Sequence, residues 1–112
     1  MSNIVFDIDD TMIVPSVVTG TVDTPNYDTI QLYRWFQSQG NKMYLWSGSG
    51  IDWATRWNEK LGLQADGILV KTKNLDMDIA FDDCDVDLAK VNIKVSRLDN
   101  FISRKEWNVN KK

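Results

Sequence analysis

Apolar and polar positions in this chain switch between a run-like pattern and a helical period, and the switches mark its elements. Asn3–Ile8 reads as a strand whose unbroken apolar character before Asp7 predicts burial on both faces, as in a central parallel strand. Met12–Asp23 mixes valines with Pro15, Gly20 and threonines and reads as a loop or small hairpin flap turning at Gly20. A helix is expected from Thr24-Pro25, with Thr24 as N-cap and Pro25 in the first turn, running to about Gln39 and ended by Gly40. Tyr27, Ile30, Leu32, Trp35 and Phe36 give it a broad apolar face. Lys42–Trp46 is the second strand, followed by the turn Ser47-Gly48-Ser49-Gly50 and a helix with Trp53, Ala54, Trp57 and Leu61 inward and Gly62 as its stop. Gly67–Val70, Ile79–Phe81 and Val91–Val95 are three more short strands. Lys71–Asp78 is a polar connection too short for a helix of usual length, and Asp99–Trp107 is a closing helix.

Strands alternating with helices predict an α/β, three-layer, Rossmann-like domain with a mainly parallel five-stranded sheet, one unit over 1–112 with a flap at about 12–24. In such sheets ligands bind beyond the carboxyl ends of the strands. Asp7, Asp9, Ser47, Lys71 and the pair Asp82-Asp83 all fall at predicted carboxyl ends. Residues two apart on a strand share a face, so Asp7 and Asp9 are expected to point the same way. Carboxylates side by side repel unless one is protonated or a cation lies between them. If the first and fourth strands are neighbours, four carboxylates meet at one edge, which is a Mg²⁺ site in outline.

Composition narrows the chemistry. The chain of 112 residues has no histidine, which removes Ser-His-Asp and Cys-His catalysis and zinc sites built on histidine. One cysteine, Cys84, precludes an internal disulfide and fits a reducing cytoplasm. No apolar run approaches the length of a membrane span, and with a strand starting almost at Met1 no signal peptide is expected. A net charge of −3 argues against a broad nucleic-acid footprint. Arg104, Lys105, Lys111 and Lys112 read as a solvated basic tail. Neither a P-loop nor a GxGxxG motif occurs.

In order along the chain come an apolar strand leading into Asp7-Ile8-Asp9-Asp10-Thr11, an apolar strand ending at Ser47-Gly48, a lysine (Lys71 or Lys73), and an apolar strand ending at Asp82-Asp83. This set resembles the four motifs of the haloacid dehalogenase (HAD) superfamily of phosphotransferases over Ile4–Asp83. The resemblance implies a Mg²⁺-dependent phosphatase with Asp7 as nucleophile and Asp9 as general acid and base. Ser47, Gly48 and the lysine would hold phosphate. Mg²⁺ would bind Asp7, the Asp9 carbonyl and Asp83, with Asp82 behind or through water. Asp10 departs from the pattern, since many members have glycine there, and the shortness of Lys71–Asp78 leaves little room for the helix that usually precedes the fourth motif. No inserted cap domain is found, so a capless member is implied, acting on a nucleotide, a sugar phosphate or a polynucleotide 3′-phosphate. Two other classes match part of this pattern: a HAD fold that binds phosphate or a partner without turnover, and a receiver domain. The receiver needs an aspartate after its third strand, where Val70-Lys71-Thr72 has none.

Overall fold

The structure is a computed structural model and describes residues 1–14 and 23–95. The turn expected at Gly20, the closing helix Asp99–Trp107 and the basic tail lie outside the described residues. Five strands form one sheet: β1 (Asn3–Asp7), β4 (Lys42–Ser47), β5 (Gly67–Val70), β6 (Ile79–Asp82) and β7 (Val91–Lys94). Their order is β5-β4-β1-β6-β7 and each neighbouring pair is parallel. The chain steps outward from β1 to β4 and β5, then crosses back to β6 on the other side of β1. The strand order therefore reverses at β1, which makes the gap above β1 and β6 the switch point where ligands bind in open α/β sheets.

Alternation along β1 sends Ile4 and Phe6 to one face and Val5 to the other. On the first face lie α1 (Tyr27–Ser38) and α2 (Ile51–Leu61), whose Tyr33, Ala54 and Trp57 pack with Ile4, Phe6, Met43, Leu45 and Phe81. Phe6 stacks on Phe81 with ring centres 4.4 Å apart and meets Tyr33 edge-on at 5.4 Å. Such pairs add about 0.5–1.5 kcal/mol each beyond area burial.

The opposite face of the sheet is packed differently. Among the described residues no helix covers it. Two loop segments do, 71–78 and 83–90, which bring Met77, Leu88 and Ala89 onto Val5, Trp46 and Ala80. The loops brace each other: Asn74 N–H donates to Leu88 O at 2.7 Å and Lys90 N–H to Met77 O at 3.1 Å. Asn92 Oδ1 accepts from the N–H groups of Leu88 and Ala89. Trp46, which adjoins Ser47 in sequence, is wholly buried in this second core.

The start of α1 also differs from expectation. Thr24-Pro25 form strand β3, antiparallel to β2 (Ile13–Val14). The N-cap is Asn26, whose Oδ1 accepts from Thr29 N–H at 3.4 Å. Proline is tolerated at a short edge strand as well as in a first turn, and here pairing with Ile13 wins. The buried line of α1 runs through Thr29 and Tyr33, leaving Tyr27, Leu32 and Trp35 exposed rather than inward. Trp35 instead lies edge-on against Phe36. No described helix is long and apolar enough to cross a membrane.

The C-cap of α2 is Gly62, in the left-handed region at φ 61°, and its N–H closes the helix on Asn58 and Glu59 carbonyls. A Cβ there would meet Arg34 only at ordinary contact distance, so the cost of alanine is conformational. Gly62→Ala is expected to lower stability by about 1–2 kcal/mol, measured as the shift in urea midpoint, with Gly62→Asn losing less.

Candidate functional site: a lysine-bridged carboxylate cluster

Asp7, Asp82, Lys71 and Ser47 arrive together because β1, β6, β5 and β4 all end at one edge of the sheet. Asp7 and Asp82 are the last residues of their strands and both are buried. The Lys71 ammonium bridges them, 3.1 Å from Asp7 Oδ1 and 2.6 Å from Asp82 Oδ2. Asp82 Oδ1 accepts from the Cys84 N–H at 3.0 Å, so both oxygens of Asp82 are engaged. Thr11 Oγ1 reaches Asp7 Oδ2 at 3.4 Å from a fully buried position. Lys73 goes elsewhere: it pairs with Asp87 at 3.3 Å on the surface.

Asp7 and Asp9 do not share a strand face. The strand ends at Asp7, and the next turn is gathered on the Ile8 carbonyl, which accepts from Thr11, Met12 and Ile13. Asp10 sits in that turn at φ 63°. This is the left-handed region, which aspartate tolerates better than most residues. The turn swings Asp9 toward the helix side of the sheet edge, where Oδ2 accepts from Ser47 Oγ at 3.3 Å and Ser49 Oγ at 3.1 Å. Its Oδ1 accepts from Trp53 Nε1 at 3.0 Å. Thus Asp7 joins Lys71 and Asp82, and Asp9 joins Ser47, Ser49 and Trp53.

Ser47 is buried at the end of β4 and its Oγ also accepts from Ser49 N–H at 3.0 Å. Gly50 is the N-cap of α2 at φ 104°, a backbone conformation that favours glycine. No side chain caps the helix start, and Gly48, Ser49 and Gly50 are exposed. A Cβ at Gly48 would meet nothing within 4 Å. An uncapped helix N-terminus beside open space suits an anion. Asn26 ties the flap to this edge: its N–H donates to Met12 O at 2.8 Å and its side-chain amide to Thr11 O at 3.2 Å.

Asp83 is buried and receives the Cys84 thiol at 3.5 Å. Asp82, Asp83 and Cys84 present ligand atoms within 4.8 Å of one another. The Asp7 carboxyl is pushed up to about 7, first by burial and then by the Asp82 charge, with Lys71 pulling the other way and Asp83 adding to the rise. Burial alone would lower Lys71, but Asp82 and Asp7 outweigh it and hold its ammonium above the usual range.

Sequence reasoning missed Trp53, which it assigned to the core by its helical spacing with Trp57. Its place in the first turn after a Ser-Gly-Ser-Gly loop was the available signal. Ser49 and the contact of Thr11 with Asp7 were likewise not singled out.

The fold favours protonated Asp7 between its ordinary value of 3.8 and about 7. The folded state therefore binds more protons than the unfolded state in that window, and this group's contribution to stability falls as pH rises through it. In chelator, Asp7→Asn is expected to raise the melting temperature at pH 7 and to flatten its decline between pH 5 and 7, read by thermal denaturation across that range. Comparison of the chain with models of protein families, with curated proteins and with solved structures finds no match.

Proposed function

We propose that this chain is a Mg²⁺-dependent phosphomonoesterase working through an aspartyl-phosphate, a capless phosphatase of the HAD type. The observation that carries the reading is the Lys71 ammonium held between Asp7 and Asp82, with Asp9 on Ser47 and Ser49 across the same sheet edge. Phosphoryl transfer asks mainly for positioning and charge neutralisation, and these residues supply both.

The donor set fits a divalent cation. Asp7, Asp82 and Asp83 place three carboxylates within electrostatic reach of one another against the Lys71 ammonium, and burial first, then the Asp82 charge, pushes Asp7 up. Hard oxygen donors of this kind favour Mg²⁺. As the resemblance implies, Asp7 and Asp83 are the side chains assigned to hold the ion, together with the Asp9 carbonyl, with Asp82 behind them or acting through water. When bound, the ion would neutralise carboxylate and phosphate charge and keep Asp7 ionised at neutral pH.

Asp7 attacks phosphorus through a carboxylate oxygen, and the bond from phosphorus to the ester oxygen breaks. The leaving oxygen takes the proton of Asp9 and departs as an alcohol. Water then attacks the aspartyl-phosphate, gives its proton to Asp9, and frees phosphate and the Asp7 carboxylate. Lys71 and Ser47, with the amides around Gly48 at the start of α2, hold the phosphate oxygens. The exposed mouth at 48–50 suits a terminal phosphate on a small metabolite or a nucleic-acid end. The lone cysteine suits a cytoplasmic setting.

Phosphate release from an aryl phosphate, nucleoside monophosphates, sugar phosphates and a 3′-phosphorylated oligonucleotide tests this. Activity is expected with Mg²⁺, absent with chelator and absent in Asp7→Asn. Turnover that survives Asp7→Asn would sink the mechanism. On the best substrate, Lys71→Met is expected to lower kcat by about 10²-fold or more, the scale of losing one charge-stabilising group. Lys73→Met is expected to stay within about twofold, because its partner is a surface carboxylate.

A further inference from the structure

Trp53 makes an interaction with Asp9 that the catalytic reading does not use. Its Nε1–H donates to Asp9 Oδ1 at 3.0 Å, while Ser47 and Ser49 hydroxyls both contact Oδ2. The two sides of this carboxyl differ in kind. A serine hydroxyl rotates and can donate or accept, whereas an indole N–H only donates. A proton on Oδ2 is therefore accommodated by the serines, and a proton on Oδ1 would face the indole N–H.

The indole is also stiffly held. Its ring lies edge-on to Trp57, with centres 6.1 Å apart at 74°, and Trp57 is buried in the core under α2. The Arg56 guanidinium sits 6.0 Å from the centre of the Trp53 ring. A donor fixed by the packing of a helix thus sets the rotation of a carboxyl that sits on a turn.

We propose that Trp53 is a positioning residue for proton transfer: it reserves Oδ1 of Asp9 as an acceptor and leaves Oδ2, beside Ser47, as the oxygen that passes the proton to the leaving group. This rests on Asp9 acting as the general acid. A positioned acid matters most when the leaving group is a poor one, since an alkoxide must be protonated as it leaves and a nitrophenolate need not be.

The test compares an alkyl phosphate with p-nitrophenyl phosphate in wild type, Asp9→Asn and Trp53→Phe, the last keeping an aromatic ring against Trp57. Trp53→Phe is expected to lower kcat/KM on the alkyl ester about 10- to 100-fold, part of the roughly 10²- to 10⁴-fold that a general acid contributes. That ratio reports the steps up to departure of the leaving group and not the water attack that both esters share. On the aryl ester kcat/KM is expected to stay within about threefold. A second measurement needs no variant at position 53 to fold: the Trp53 indole N–H of the wild type is expected to exchange with solvent at least tenfold more slowly than in Asp9→Ala.

Equal losses of kcat/KM on both esters in Trp53→Phe, with Asp9→Asn still selective on that ratio, would overturn the role of Trp53 and leave the phosphatase standing. An indole exchange rate indifferent to Asp9 would overturn it too. If Asp9→Asn shows no selectivity in kcat/KM, or the wild type releases no phosphate, the acid–base reading itself fails and takes this proposal with it.

Discussion

The site depends on one electrostatic constraint: two buried carboxylates on adjacent strands, Asp7 and Asp82, held together by the Lys71 ammonium. Like charges taken out of water are costly, and the cost is met only by close opposite charge. That constraint explains why β5 must end beside the site although β4 separates it from β1. It also explains why the segment after Val70 turns at once into a loop, because a further turn of regular structure would carry the ammonium past both acids. Burial first, and the Asp82 charge after it, raise Asp7 against the pull of Lys71.

The pleat of the sheet then divides the labour. Register pairs Asp7 with Trp46 on β4, and Ser47, one residue on, projects to the opposite face. Asp7, Asp82 and Lys71 accordingly meet above the loop-covered face. Ser47 meets Asp9, Ser49 and Trp53 at the start of α2. The turn over Ile8, with Asp10 left-handed, carries the chain from one group to the other. Two carboxylates two residues apart in sequence thereby acquire different environments, one crowded by acids and one ringed by hydroxyl and indole donors. Groups placed so differently are suited to different tasks in one reaction.

The flap and the loops are fitted around this edge. Asn26 caps α1 and at the same time donates to the carbonyls of Thr11 and Met12, so the first helix and the site turn share one residue. On the far face, loops 71–78 and 83–90 bury Trp46 and Ala80 and deliver Lys71 and Asp83 from the same short segments. Packing and chemistry use the same residues here, which is economical in a chain of this length.

The sequence by itself determined the order of strands and helices, the parallel α/β class and the carboxyl-end positions of Asp7, Ser47, Lys71 and Asp82. These follow from local periodicity and from glycines at helix ends, which neighbouring residues set. Where local signals competed, it misled. Thr24-Pro25 carries a helix-start signature yet pairs with Ile13-Val14. Leu32 and Trp35 are apolar yet lie off the buried line through Thr29 and Tyr33. Spacing alone joined Asp7 to Asp9 on one face, and only the turn on Ile8 parts them. The choice of Lys71 over Lys73 rests on a contact 64 residues away, and the bond from Trp53 to Asp9 spans 44. Such contacts depend on strand register and helix rotation, which are fixed by packing across the whole sheet and leave no period in the sequence to be read.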